Sequence, residues 1–370
     1  MPENNILEVD VLIIGAGPTG MSAALALLEA KKTILIIDKH QKGLGFSRAI
    51  LMNPQTLASL AQYGVSTKIT QRGIPISGMS VHGNKRQILY ADLLQQNKNA
   101  FDPIALPQLE TEQCMIEALE ERGQHILKPF ELVNFTQDKD GVTSTIRHSQ
   151  NSSDTKIIRS TYVIGADGYH SKTRQVLGIT YPTEDLKHKL LGVDCEMTWS
   201  YKGSVASWIL NEGLILAFKI NENKVRFVSI PASVLKKRTD LVRLEKITWE
   251  TEFEIHFSQV LEYGKGRVWL AGDAAHAHSP VGGRGLNMGV ADALRLVKAI
   301  LDGDFVSYQK ERYKVNSDWV KKNKFITKFL AKQGFMGTFN RRTIRTLLSI
   351  ASFFGEKAIG KRVFKNITGT

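Results

Sequence analysis

The feature that most constrains this chain is a glycine-rich turn between two buried strands near its N-terminus. Residues 9–15 are mainly branched and apolar, as in a strand covered on both faces. Residues 18–31 are rich in Ala and Leu, as in a helix, and residues 33–38 form a second apolar strand. The turn is G-x-G-x-x-G and contains Gly15, Gly17, Pro18, Thr19 and Gly20. Its glycines permit a sharp bend, a close approach of pyrophosphate to the backbone, and packing of helix on strand. Asp38 ends the second strand and can accept hydrogen bonds from ribose hydroxyls. The unit predicts a dinucleotide site and leaves FAD and NAD both open.

A second glycine-rich segment, GDAAHAHSPVGGRGLN at residues 272–287, favours FAD. It follows a buried strand, and Asp273 stands at that strand's carboxyl end, where ligands of open α/β sheets bind. A carboxylate there suits the hydroxyls of a ribitol chain. The N-terminus of the following helix would face the pyrimidine edge of the flavin ring and stabilise the anionic reduced form. The cofactor residues predicted in this segment are Asp273, Pro280, Gly283, Gly285, Leu286 and Asn287.

A third turn of the strand–turn–helix type spans residues 165–174. Ser171 is a candidate cap for its helix, and Arg174 lies one turn later. One interpretation of the residues alone is a structural pair between Asp167 and Arg174 that ties the turn together.

The order of these elements predicts an α/β protein. We expect a Rossmann-like FAD-binding domain with a parallel sheet, made of residues 1–75, 101–180 and 263–320. Residues 76–100 and 181–262 have strand-like runs with Gly and Asn turns, which predict an inserted, mainly antiparallel β-sheet domain for the substrate. Residues 321–370 are predicted to form a basic helical tail.

Composition excludes several other classes. Hydrophobic residues make 42% of the 370 residues and charged residues 23%, which excludes a disordered chain. The two cysteines, Cys114 and Cys195, form no C-x-x-C pair, so a zinc knuckle and a thioredoxin-like disulfide are not expected. His276 and His278 lack partners at metal-ligand spacing, so no metal is predicted. The N-terminus has no basic leader, and a signal peptide is not expected.

The motifs together carry a resemblance. GAGPTG at residues 15–20, D-G-x-x-S-x-x-R at 167–174, and GDAAH with P-x-G-G-x-G-x-N at 272–287 occur in the order typical of one family. The chain resembles the single-component FAD-dependent aromatic hydroxylases of the p-hydroxybenzoate hydroxylase fold, and most of all the phenol and anthraquinone-type hydroxylase branch. The resemblance implies that Asp38 holds the adenosine ribose, Asp273 the ribitol, and that Asp167 lies between FAD and the approaching nicotinamide. It also implies that Arg48 lies near the pyrophosphate, Gln108 near the flavin, and Pro280 beside the substrate.

The resemblance implies an activity as well. It is an NAD(P)H-consuming monooxygenase that hydroxylates a phenol, quinone precursor or polyketide-like aromatic through a flavin hydroperoxide, with Pro280 and Arg48 as catalytic residues. FAD would be bound tightly without a covalent bond, and NAD(P)H and dioxygen would be transient co-substrates. Two alternatives stay open: an FAD-dependent reductase or dehydrogenase of the same fold, such as one that saturates isoprenoid chains, and a non-catalytic flavin-binding protein. Trp199, Trp208, Phe218 and Arg226 are candidate substrate contacts.

The charge of the chain is concentrated in the tail. The net charge is +13, but residues 321–370 hold twelve basic side chains and one acid, which leaves +2 for the first 320 residues. Apolar residues recur at helical spacing among these cations, as in basic amphipathic helices. One interpretation is packing on the FAD domain with a solvated basic face. The other is contact with an anionic membrane. Nucleic-acid binding is not expected, because no recognition module accompanies the charge. The predicted location is cytoplasmic, with peripheral contact to the inner face of a membrane as the sharper hypothesis, and the predicted state is a monomer or homodimer.

Overall fold

The structure is a computed structural model. It describes residues 6–41, 49–84, 86–94, 101–186, 188–242, 244–332 and 334–353. In chain order, the helices are α1 (Pro18–Glu29), α2 (Pro54–Ala61), α3 (Val65–Arg72), α4 (Gln108–Glu120), α5 (Lys172–Val176), α6 (Ser233–Lys237), α7 (Gly285–Asp302), α8 (Phe305–Ala331) and α9 (Gly334–Phe353). The strands are β1 (Leu7–Ile14), β2 (Ile34–Ile37), β3 (Leu51–Met52), β4 (Ile74–Pro75), β5 (Gly78–His82), β6 (Gln87–Asp92), β7 (Ile104–Ala105), β8 (Ile126–Leu127), β9 (Phe130–Gln137), β10 (Val142–His148), β11 (Asn151–Gly165), β12 (Thr183–Asp185), β13 (Leu190–Glu196), β14 (Val205–Ile209), β15 (Leu214–Asn221), β16 (Lys224–Ile230), β17 (Lys246–Phe253), β18 (His256–Gln259), β19 (Gly264–Lys265), β20 (Val268–Leu270) and β21 (His276–Ala277).

A parallel sheet forms the centre of the cofactor half of the molecule. Its strands run β20–β11–β1–β2–β8, all parallel, and β9, β10 and β19 join it as antiparallel neighbours. Residues 11–14 of β1 and most residues of α1 are apolar and buried, and α1 packs against α7. Continuous apolar strands of this kind are typical of a sheet covered by helices.

The register of this sheet brings four strand ends into line. Ile14 of β1 is paired with Ile37 of β2 and with Gly165 of β11, and Gly165 is paired with Leu270 of β20. The three turns singled out in the sequence and Asp38 follow these four positions. They therefore meet at the carboxyl edge of one sheet, where α/β proteins bind their ligands.

A second sheet has the order β17–β13–β16–β15–β14–β5–β6, antiparallel except for the β14–β5 pair. Successive side chains of a strand point to opposite faces. One face of the sheet carries a buried cluster that includes Trp208 and Phe227. The other face, with residues such as Val205, Leu216 and Val228, lines a cavity. Two short sheets, β12–β18–β21 and β3–β7–β4, lie beside these two.

The C-terminal helices are not a separate appendage. Helix α8 runs without a break across residue 320, where the sequence suggested that the tail begins. Helix α9 packs on β6 and on α8. Arg341 is fully buried and donates hydrogen bonds to the carbonyl oxygens of Asn211, Leu330 and Lys332. Part of the positive charge is thus used inside the fold, because buried carbonyl oxygens need donors.

Candidate functional site

The three glycines of the first turn differ in the space that a side chain would have: Gly17 has room for a Cβ, whereas Gly15 and Gly20 do not. Gly15 has φ +101°, and a Cβ there would lie 2.4 Å from the carbonyl oxygen of Ala166. A Cβ on Gly20 would lie 1.9 Å from the carbonyl oxygen of Gly15. A Cβ on Gly17 would meet nothing within 4 Å. Gly15 and Gly20 therefore let the turn, strand and helix close up, whereas Gly17 leaves the backbone accessible from the cavity. Gly20 does not line the cavity, but Gly15, Gly17, Pro18 and Thr19 do.

Asp38 lies beside this turn and stabilises it. One carboxylate oxygen accepts a hydrogen bond from the Ala16 amide at 2.9 Å, and the other accepts one from the His40 amide at 2.8 Å. Asp38 also lines the cavity. A carboxylate has lone pairs beyond these two bonds, so its oxygens can still accept from a ribose.

Gln108 begins helix α4 and orients a second acid in the same part of the cavity. Its amide nitrogen donates to Glu112 at 2.8 Å, and its amide oxygen accepts from the Ala49 amide at 3.2 Å. Burial raises the pKa of Glu112, and the charge of Asp38 adds to that rise. Sequence reasoning missed Glu112, although its position one helical turn after Gln108 offered a signal.

The turn after β11 is tied together by Asp167. Its carboxylate accepts hydrogen bonds from the Ser171 hydroxyl at 2.5 Å and from the Thr173 amide at 2.9 Å. The Ser171 oxygen in turn accepts from the Arg174 amide at 3.0 Å, which is the predicted helix cap. The alternative of an Asp167–Arg174 pair is wrong. The Arg174 guanidinium instead donates to the carbonyl oxygens of Ala274, at 2.9 Å, and Tyr169, at 2.8 Å.

That bond to Ala274 links the middle turn to the distal one. Asp273 lies in a short 3-10 turn, Gly272–Ala274, with its side chain exposed toward the cavity. Its carbonyl oxygen accepts a hydrogen bond from the Tyr181 hydroxyl at 3.0 Å. A Cβ on Gly272 would lie 2.6 Å from the Thr19 hydroxyl of the first turn. The first and distal turns are therefore in van der Waals contact.

A buried ionic network stabilises the distal turn. Asp292 of α7 is fully buried and accepts hydrogen bonds from the Gly272 amide at 3.0 Å, from His276 Nε2 at 2.6 Å and from Arg312 Nε at 2.6 Å. Burial alone would raise the pKa of Asp292, but His276, Arg312 and their hydrogen bonds hold it well below its usual value. Asn316 completes the network with a 3.2 Å bond to the same carboxylate. Asp292 could not be singled out from the sequence, because helical periodicity does not distinguish a buried acid from an exposed one.

The loop before α7 borders the cavity through Pro280, Gly283, Gly285 and Leu286. Asn287 does not line it. Its side-chain amide donates to the carbonyl oxygens of Leu51 and Gly283, both at 2.9 Å, and its oxygen accepts from the Asn53 amide at 3.0 Å. Asn287 thus fixes the loop rather than facing the cavity. Arg48 lies outside the described residues.

His278 in the same loop lines the cavity. Its Nδ1–H donates to the Ser279 carbonyl oxygen at 2.8 Å. Burial lowers the pKa of His278 to about 4, so the ring is neutral at physiological pH. The neighbouring His276 instead forms its hydrogen bond with Asp292, at 2.6 Å.

All of these turns open into one cavity of about 1940 Å³. Typical ligand pockets have about 300–1,000 Å³, so this cavity has room for a dinucleotide and a second molecule. Of the four predicted substrate contacts, Phe218 and Arg226 line it, whereas Trp199 and Trp208 pack on the opposite side of the second sheet. Arg226 is buried and forms a two-point ion pair with Asp194, at 2.6 and 2.8 Å.

The described residues also give two negative findings. Among them, no three or more His, Cys, Asp or Glu side chains come together as metal ligands. Over the same part of the chain, no helix has the length and apolar character needed to cross a bilayer.

Comparison with known proteins gives a family match and a set of relatives. A family model described as FAD binding domain matches residues 8–215 and 223–303. The chain is 30% identical over 312 residues to the rifampicin monooxygenase of Streptomyces venezuelae, which covers 78% of this chain and 63% of that protein. It is 26% identical over 313 residues to the pentachlorophenol 4-monooxygenase of Sphingobium chlorophenolicum, covering 78% and 57%. The chain thus spans less than two thirds of the length of these relatives.

Two solved structures have a similar fold. The p-nitrophenol 4-monooxygenase of Pseudomonas putida DLL-E4 superposes with a TM-score of 0.82 at 20% identity, over 98% of this chain and 99% of that chain. The rebeccamycin biosynthetic enzyme RebC with reduced flavin superposes with a TM-score of 0.79 at 20% identity, over 98% and 77%. The superpositions include both sheets and reach into the C-terminal helices.

Proposed function

We propose that this chain, which belongs to the family of this FAD binding domain, is an NAD(P)H-consuming monooxygenase of aromatic compounds. The family match and the similar solved structure confirm the predicted fold class and cofactor. The observation that carries the proposal is the alignment of the three turns and Asp38 along one sheet edge, at one end of a cavity that continues over an apolar sheet face. The names of the relatives, which act on rifampicin and pentachlorophenol, support the aromatic substrate class.

The residues on the cavity wall fit FAD. Gly17 leaves open space where a pyrophosphate would approach the backbone, and the free N–H groups of α1 and its dipole would favour the phosphates. We propose Asp38 for the adenosine ribose and Asp273 for the ribitol. Bound FAD would supply the redox and oxygen chemistry. The remaining proposed contacts are Gly15, Pro18, Thr19, Gln108, Asp167, Pro280, Gly283, Gly285 and Leu286. Gly20 and Asn287 would act indirectly, by shaping the turns. Arg48 stays a prediction.

The chain's own contribution is positioning and the exclusion of water. The cavity face of the second sheet is mainly apolar, so an aromatic ring placed between it and Pro280 would be shielded from solvent. Helix α7 begins at the same loop, and the dipole at its N-terminus would stabilise negative charge there. Residues 1–75, 101–180 and 263–320 are proposed as the FAD unit, and 76–100 with 181–262 as the substrate unit.

The test is a screen of NADH and NADPH oxidation with phenols and quinone precursors, in the presence and absence of dioxygen. A monooxygenase requires dioxygen and yields a product heavier by one oxygen atom. A product formed without dioxygen would favour the reductase alternative. An FAD-loaded protein that oxidises neither coenzyme with any of these compounds would favour the non-catalytic alternative.

We also propose that helices α8 and α9 contact an anionic membrane on its inner face. Phe325, Phe339 and Leu347 are 71%, 56% and 60% exposed, and exposed cations such as Lys321 and Arg342 lie on the same helices. Apolar and basic side chains together are typical of interfacial helices.

In a flotation assay, the protein should float with anionic vesicles and not with zwitterionic ones. Phe325→Ser should reduce flotation, whereas Val306→Ser, at an 80% exposed position near the start of α8, should not. Equal behaviour of the two variants would contradict this contact.

A further inference from the structure

We propose that the end of the cavity under α8 and α9 binds a hydrocarbon chain carried by the aromatic substrate. This end, called the chain pocket below, has two walls. The helical wall consists of Phe325, Ile326, Phe329, Leu330, Ile344, Leu347 and Leu348. The sheet wall consists of Ile209, Leu214, Leu216, Val228 and Ile230. The inference rests on the proposed aromatic hydroxylation and names the substrate class for it.

The helical wall is selectively apolar. Helices α8 and α9 carry many lysines and arginines, yet none of them lines the cavity. The lining positions on α8 are 325, 326, 329 and 330, and those on α9 are 344, 347 and 348. The α9 set has the i, i+3, i+4 spacing of one helix face, and the α8 set has the i, i+1, i+4, i+5 spacing of a slightly wider face. The cations of these helices lie elsewhere: Lys324 and Lys328, for example, pair with Glu184.

The sheet wall is aliphatic and formed by alternate residues. Ile209 is on β14, Leu214 and Leu216 are on β15, and Val228 and Ile230 are on β16. Several of these residues pack with Leu330, Ile344 and Leu348 in one hydrophobic cluster. The side chains of both walls are apolar and offer no hydrogen bonds, so the pocket stabilises an occupant in proportion to the apolar area that it buries.

The chain pocket opens to solvent between the two helices. Phe325 and Leu347 line the cavity and are also 71% and 60% exposed. An occupant longer than the pocket can therefore extend outward, past side chains that are themselves apolar. A linear chain suits this shape, because it can fill the interior and pass through the opening.

The helical wall is fixed in place rather than loosely attached. Arg341 donates to the Asn211 carbonyl oxygen from Nε at 3.1 Å, and Arg345 Nη2 donates to the Asn211 side-chain oxygen at 2.7 Å. Asn211 lies between β14 and β15, whose residues form the opposite wall. These bonds tie α9 to the loop between the strands of the sheet wall.

The experiment is equilibrium dialysis of the FAD-loaded protein against 4-alkylphenols with linear chains of two to ten carbons, below their micellar concentrations. The dissociation constant should fall about fourfold for each added methylene, as expected for full burial, until the chain reaches the opening. A dissociation constant that does not change with chain length would overturn the proposal. An affinity that rises only for fused-ring phenols would also overturn it, because that result would indicate a rigid polycyclic substrate.

A matched pair of variants locates the effect. Leu347→Asp places a charge at the wall of the chain pocket and should weaken decylphenol binding about tenfold, with phenol binding unchanged. Leu301→Asp changes a 46% exposed leucine of α7 that does not line the cavity, and should leave both unchanged. An equal loss of decylphenol binding in the two variants would overturn the assignment of the chain pocket.

The dialysis series and the oxidation screen fail separately. Chain-length dependence without any oxygenated product would contradict the proposed function and retain the pocket. Oxygenation of phenols together with a dissociation constant that does not change with chain length would support the proposed function and contradict the pocket.

Discussion

Two alanine substitutions in the first glycine turn should have opposite effects, because the structure gives the two glycines different surroundings. A Cβ at Gly20 would lie 1.9 Å from the Gly15 carbonyl oxygen, more than 1 Å inside normal contact. Helix α1 or the turn must then move, at a cost of about 1–3 kcal/mol for overpacking. Gly17 has extended backbone, φ −75° and ψ 179°, and open space around its Cβ position. Gly17→Ala should change the free energy of unfolding by no more than about 1 kcal/mol.

FAD loading should show the reverse order. The methyl group of Gly17→Ala would occupy the space through which a pyrophosphate approaches the backbone, and we expect FAD affinity to fall at least about tenfold. Thermal unfolding of flavin-free protein followed by circular dichroism should give a midpoint about 2–6 °C lower for Gly20→Ala and near the parent value for Gly17→Ala. Absorbance after gel filtration gives the FAD content. Parent-like FAD affinity in Gly17→Ala would refute the role of this turn.

Three further predictions concern the surroundings of the site. Asp292→Ala removes the partner of Arg312 and should cost about 3–5 kcal/mol, measured by urea unfolding; a change below about 0.5 kcal/mol would contradict the network. Arg341→Met should release α9 and speed limited chymotrypsin digestion within residues 334–353, whereas a substitution at the exposed Arg342 should not. Because the pKa of His278 is lowered to about 4, the neutral ring stabilises the fold fully above the unfolded value near 6.5, and that stability is lost as the pH falls toward 4. The thermal midpoint should therefore drop less between pH 7 and pH 4.5 in His278→Gln than in the parent.

The elements of the cofactor half were predictable because their signals are local. The strand, turn and helix over residues 9–31 are specified by a continuous apolar run, a glycine pattern and a Pro at the start of the helix. The same is true of the turn that carries Asp273. That these turns meet could be inferred from a general property of parallel sheets, without knowing any particular contact.

What the sequence could not reveal depends on contacts between distant residues. Arg341 and Asn211 are 130 positions apart, and nothing near either residue indicates that one caps the other. The sequence therefore leaves packing on the FAD domain and membrane contact both open for the basic tail, and does not predict that its apolar residues form a wall of the cavity. Trp208 is predicted as a substrate contact because it lies on a strand that could face the flavin, but the register of β14 turns it to the other face. A shift of one residue in register reverses every such assignment.

The most direct measurement is a titration of flavin-free protein with FAD and, separately, with FMN, followed by the quenching of flavin fluorescence. If the three turns form one dinucleotide site, FAD should saturate at one molecule per chain. FMN lacks the AMP half of FAD, and with it the pyrophosphate at Gly17 and the ribose at Asp38, so it should bind at least about tenfold more weakly. Folded protein that shows no saturable FAD binding, or that binds FMN as tightly as FAD, would contradict the assignment.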